Sequence, residues 1–184
     1  MGDAVRKRWD FFVSYASQDR ETAAKPVAEA LTNRGFAVWL DRWIISADLS
    51  RLQDQIQHGL SECHYGIVIV SPWFLQKDWP MRELDTILAI ETIEGRRRIV
   101  PVLHNLTEAE LRERAPELHN KKPIGTADGF ERACDQILER VVAMTDRERR
   151  VTLGESGAAE LPRFRAPGVV RCQNAGCSWR VPDE

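Results

Sequence analysis

Residues Tyr65 to Val70 read YGIVIV, an apolar, β-forming run with no polar residue alternating through it. A strand with one wet face alternates, so a run like this fits a strand covered on both faces, as in the centre of a parallel sheet. Parallel neighbours need crossover connections, usually helices, and the flanking sequence should therefore alternate strand and helix.

The alternation is legible along most of the chain. WDFFVSY (Trp9 to Tyr15) is an aromatic and β-branched first strand, and ASQDRE after it suits a turn into a helix. Ala23, Val27, Ala30 and Leu31 share one face of a helix over Thr22 to Arg34, which Gly35 stops. Pro26 places the start of its regular part late, because proline fits a first turn and not an interior. FAVWLD (Phe36 to Asp41) is a second strand, RWIISADLS a loop, and Leu52, Ile56 and Leu60 mark an amphipathic helix.

YGIVIV is then the third strand, SPWFLQKDWPMREL (Ser71 to Leu84) begins as the loop behind it, and a helix runs from about Pro80 to Ile93. RIVPVL (Arg98 to Leu103) is a fourth strand and TEAE (Thr107 to Glu110) a capping box. KPIGT is a weak fifth strand, and Asp128 with Glu131 caps a last helix through about Met144. This is an α/β pattern: a flavodoxin-like, doubly wound, five-stranded parallel sheet of order 2-1-3-4-5 with helices on both faces. Ligands of such sheets bind outside the carboxyl ends of the strands, near the switch point beside strand 1. That rule selects YASQD, DRWIISADL and SPWFLQKDWPMREL.

The sequence divides into an extension over 1–8, one domain over 9–145 and a tail over 146–184 of linker composition, GESGAAELPRFRAPG. Cys172 and Cys177 near the end have the spacing of half a zinc site with the second pair missing. They read either as the start of a truncated second module or as incidental surface cysteines. Cys63 and Cys134 fall inside regular elements and read as reduced, buried thiols. A net charge of −2 leaves no field for binding nucleic acid. No apolar stretch approaches the ~20 residues of a membrane span and no signal peptide opens the chain, so the expected compartment is the cytoplasm.

Several uses of this architecture lack their polar groups here. No G-x-G-x-x-G follows a strand, no P-loop is present, and Val70 leads into Ser71 and Pro72 where a phospho-acceptor receiver domain needs an acidic residue. His58, His64, His104 and His119 are scattered, each reading as a surface or packing residue, and no resident metal or cofactor is expected.

DFFVSYASQD, GFAVWLD and SPWFLQKDWPMREL, in this order and spacing, resemble the Toll/interleukin-1 receptor (TIR) domain in the style of bacterial members, over Trp9 to Met144. The resemblance implies either an enzyme that cleaves the nicotinamide glycosidic bond of NAD+, releasing ADP-ribose or a cyclic product, or an adaptor module that pairs with other TIR domains. NAD+ is then a substrate and not a cofactor. Enzymatic members carry a glutamate early in the third helix, four residues after a tryptophan, and Trp79 and Glu83 stand at that spacing.

The chemistry fits one carboxylate. Cleavage passes through an oxocarbenium-like state that an anion beneath the ribose stabilises, and nicotinamide leaves without needing a proton. The plainer reading is also physical: glutamate in a first helical turn suits the macrodipole, and a tryptophan before a helix can staple it to the core. Both residues lie after strand 3, in the crevice that the topology rule selects, which favours function. The resemblance further implies that Tyr15, Ala16 and Ser17 line the nucleotide site, with Asp41 and Trp43 opening the loop used for assembly and shaping the pocket. It implies partners of the same kind, in a homo-oligomer or filament, and a role in bacterial anti-phage immunity.

Overall fold

The computed structural model describes residues 9–40, 49–76 and 98–153. Its strands are β1 (Trp9–Ser14), β2 (Val38–Trp39), β3 (Cys63–Val70), β4 (Ile99–Leu103) and β5 (Ile124–Gly125), all parallel, in the order β2-β1-β3-β4-β5. The expected order 2-1-3-4-5 is therefore the observed one. YGIVIV lies inside β3, between β1 (Val13 opposite Ile67) and β4 (Ile67 opposite Val100).

Alternate residues of the central strands feed two cores. Phe11, Val13, Tyr65, Ile67, Ile69, Val100 and Val102 pack under α1 (Lys25–Thr32) and the last helix, α6 (Phe130–Leu153). Phe12, Val68, Val70 and Leu103 pack under α2 (Leu49–Glu62), α3 (Pro72–Leu75), α4 (Glu108–Arg114) and α5 (Pro116–Asn120). Burial on both faces explains why the β3 sequence does not alternate. Cys63 and Cys134 are both buried, as their positions predicted.

Local chemistry explains most departures from the sequence reading. Before α1 the chain makes a 3-10 turn (Ser17–Asp19) and a π turn (Arg20–Ala24), and α geometry begins only at Lys25, one residue before Pro26. β2 begins at Val38 instead of Phe36, with the Ala37 N–H taken by the buried Asp10 carboxylate, 2.7 Å away, instead of a ladder carbonyl. Asp10 accepts that bond under desolvation, which raises its pKa more than the bond lowers it.

The capping box at Thr107 is present, with Thr107 Oγ1 accepting the Glu110 N–H (3.2 Å) and the Glu110 carboxylate accepting the Thr107 N–H (2.8 Å). The one at Asp128 is not. Gly129, at φ 98°, supplies the carbonyl that accepts the Ala133 N–H, while Asp128 faces Arg132 at 3.6 Å. α6 also continues to Leu153 instead of ending near Met144. No glycine or proline interrupts the chain between Gly129 and Gly154, and charged residues prolong a helix as readily as apolar ones.

Candidate functional site

At the carboxyl edge of the sheet the ends of β1, β3, β4 and β5 converge on a buried polar cluster. Its centre is Asp19, only 2% exposed, in the turn that follows β1. The Ser71 hydroxyl, fully buried at the end of β3, donates to the Asp19 carboxylate across 52 residues of sequence. Ser71 Oγ also accepts the Phe74 N–H (3.1 Å), and so caps α3, whose proline at the first position needs no donor partner. A loop is expected here from the sequence, and a serine followed by proline is the local signal for the helical turn found instead.

His104, at the end of β4 and 6% exposed, completes the cluster. Its main-chain N–H donates to Val70 O (2.9 Å), its Nδ1 lies 3.0 Å from Thr126 Oγ1, and its ring stacks obliquely on Phe130. Its Nε2 has no hydrogen-bond partner among the described residues, and neither does the buried Ser14 Oγ at the end of β1. Burial pushes the Asp19 pKa up against the opposing effects of the Ser71 bond and the His104 charge. Burial likewise pushes His104 down, more than the Asp19 charge pushes it up. Desolvation thus outweighs mutual attraction for both, and the pair favours two neutral groups more than isolated side chains would.

The expected site residues divide sharply. Tyr15 is buried in the core under α1, Ala16 is fully buried, and Ser17 is exposed, with its hydroxyl donating to Gln18 Oε1 (2.9 Å). Ser17 is therefore the one of the three with a side chain open to a ligand. Glu83, Trp79, Asp41 and Trp43 lie outside the described residues, as do Cys172 and Cys177. Trp73, on α3, is 46% exposed, while its neighbour Phe74 is buried in the core. A depression lined by Lys122, Gln136, Glu139 and Arg140 flanks the amino end of β5, away from the edge where the polar cluster lies. Asp19, Ser71, His104 and Thr126 were not singled out as site residues from sequence, because what distinguishes them is their contacts across four strand ends.

Among the described residues no helix is long and apolar enough to cross a membrane, and no group of three or more His, Cys, Asp or Glu residues is placed to hold a metal ion.

A family model described as TIR domain matches residues 11–138. The chain is 40% identical over 121 residues to the 2' cyclic ADP-D-ribose synthase BtTIR of Bacteroides thetaiotaomicron, a match covering 66% of this chain and 42% of that protein. It is 34% identical over 130 residues to the NAD(+) hydrolase TcpA of Theionarchaea archaeon, covering 71% of this chain and 39% of that protein. The match thus spans less than half the length of these curated relatives. Among solved structures, a metazoan TIR-STING receptor from C. gigas in complex with 2',3'-cGAMP superposes with a TM-score of 0.50 at 16% identity, over 85% of this chain and 55% of that one. At that identity the likeness concerns the fold alone. Strand order, the three loop motifs in sequence and the match to the family model agree, and the chain belongs to the TIR-domain family.

Proposed function

We propose that this chain is an NAD+ glycohydrolase in which Glu83 is the catalytic carboxylate. The observation that carries the reading is the Trp79–Glu83 pair in the segment following β3, in a chain whose relatives are named NAD(+) hydrolase and cyclic ADP-D-ribose synthase. The bond from ribose C1′ to the nicotinamide nitrogen breaks, its electron pair leaves with the ring, and the cationic nicotinamide becomes neutral. Positive charge develops on the ribose, where the Glu83 carboxylate stabilises it or holds the ribose hydroxyls. Attack by water then gives ADP-ribose and a proton; attack by a nucleophile of the same molecule gives a cyclic product.

Trp79, four residues before Glu83, packs on a ring of the dinucleotide if the helix already includes it. Ser17, Asp41 and Trp43 shape the pocket with the main chain at Tyr15 and Ala16. Phosphates are held by main-chain N–H groups or by Arg42 and Arg51.

Activity depends on self-assembly with other TIR domains, and the exposed Trp73 supports an assembling surface. The setting is a bacterial cytoplasm, suited to the buried cysteines Cys63 and Cys134, and the role is anti-phage defence by NAD+ depletion or by a cyclic signal. The test is to incubate purified protein with NAD+ over a range of protein concentrations and crowding, separating nicotinamide, ADP-ribose and cyclic products. The reading predicts nicotinamide release that rises more steeply than protein concentration. Absence of nicotinamide under every assembling condition overturns it and leaves an interaction module.

A further inference from the structure

We propose that Asp19 is a positioning residue, which acts through Ser71 to fix the start of the chain segment that carries Trp79 and Glu83. The inference rests on the glycohydrolase reading for its catalytic consequence, but its structural half stands alone. Asp19 and Ser71 are both at least 98% buried, and each is polar at a place where an apolar residue would be cheaper. A buried polar side chain without a partner gives up its hydration for nothing in return, so the bond between them is a specific contact and not an incidental one.

Ser71 uses both of its capacities. Its proton goes to Asp19 and its lone pair takes the Phe74 N–H, while its carbonyl accepts the Leu75 N–H (3.0 Å). Without the acceptor at Asp19 the hydroxyl is free to rotate, and the cap on α3 is no longer held in one orientation. The Asp19 turn, which begins two residues past β1, is closed by the Asp19 N–H donating to Ala16 O (2.8 Å). The carboxylate therefore ties the β1 loop to the β3 loop, and the His104 N–H to Val70 O ties β4 to the same point. Sequence places Trp79 eight residues and Glu83 twelve residues beyond Ser71. A catalytic carboxylate must be held within a fraction of an ångström of its productive place, and a displacement of about 1 Å can cost ~100-fold in rate.

The test compares wild type with Asp19→Ala, Ser71→Ala, their double variant and Asp19→Asn, whose amide oxygen can still accept from Ser71. Two readouts are taken: the Phe74 amide exchange rate relative to the β3 amides, and kcat and KM for nicotinamide release. The proposal predicts that Asp19→Ala and Ser71→Ala each speed Phe74 exchange about tenfold over the β3 reference, the scale of one lost cap. It predicts that both lower kcat about 10- to 100-fold with KM nearly unchanged. The double variant should be no slower than the slower single, and Asp19→Asn should recover most of both the protection and kcat. Unchanged relative exchange at Phe74, a kcat of Asp19→Ala within twofold of wild type, or an Asp19→Asn variant as impaired as Asp19→Ala each overturns it. If wild type itself releases no nicotinamide, the glycohydrolase reading fails, and the exchange arm still decides the tie between Asp19 and α3.

Discussion

Phe12 is the side chain on which α2 and the sheet are fitted together, and replacing Gly66 with alanine should show it. A Cβ at Gly66 would stand 2.4 Å from Phe12 Cε1 and Cζ and 2.7 Å from Ile99 Cδ1. Carbon atoms pack at about 3.5–4.0 Å, so the ring must retreat by about 1 Å. It is 2% exposed, and a Cβ at Gly59 on α2 would already lie 2.8 Å from the same ring. Retreat is therefore blocked by α2, and the strain falls on rotamers and on the helix position. Over-packing of this kind costs about 1–3 kcal/mol, against which the stiffer unfolded chain returns roughly 0.5–1 kcal/mol.

We expect Gly66→Ala to destabilise by about 1 kcal/mol net, or a drop in Tm of about 2–4 °C for a domain of this size. The assay is equilibrium urea unfolding, with Phe12→Leu and the double variant completing a cycle. Leucine at 12 should relieve the clash, so the double variant should be more stable than the sum of the singles by about 1 kcal/mol. A Gly66→Ala midpoint equal to wild type, or strict additivity with Phe12→Leu, refutes the packing argument.

Other perturbations probe separate links. His104 is held below the ordinary histidine pKa by burial, so the unfolded chain binds the proton more tightly than the folded one. Its contribution is complete above the unfolded pKa of about 6.5 and is lost as pH falls through the lower, folded value. His104→Asn, followed by urea unfolding from pH 7.5 to 5, should therefore lose less stability on acidification than wild type does. Asp19 has the opposite sign, and because the His104 charge lowers its pKa, removing His104 raises Asp19 further and reduces the loss on acidification in the same direction. Arg34 on the loop after α1 pairs with Glu131 and Asp135 of α6 and donates to Ala30 O (3.1 Å). The carboxylates are largely exposed, so Arg34→Ala should cost only about 0.5–1 kcal/mol, and less in high salt, by the same unfolding assay. Thr107→Ala removes the cap on α4 and should cost about 1 kcal/mol, with faster amide exchange confined to Glu110 and its neighbours.

The architecture was legible because it rests on patterns that are local in sequence. Unalternating YGIVIV fixed a central parallel strand, Pro26 fixed where α1 becomes regular, and the Thr107 capping box fixed the start of α4. Where the reading erred, a non-local or competing contact decided the outcome. Asp10 took the Ala37 amide from β2, and Gly129 displaced Asp128 as the residue opening α6. The end of α6 was missed because apolar periodicity stops before the backbone does. The polar cluster was the least legible part. ASQD and SPWF each look like polar loop, and only folding places Asp19 on Ser71 and His104 beside Thr126.

The measurement that tests the account most directly is the rate of nicotinamide release from NAD+ by wild type and Glu83→Gln, each verified as folded and assembled to the same extent. Glutamine keeps the size and hydrogen-bonding reach of the side chain and removes the negative charge that the developing ribose cation requires. The account predicts release by wild type and a loss of about 100-fold or more in the variant, the scale of a lost electrostatic stabiliser. A variant as active as wild type would contradict the role given to Glu83.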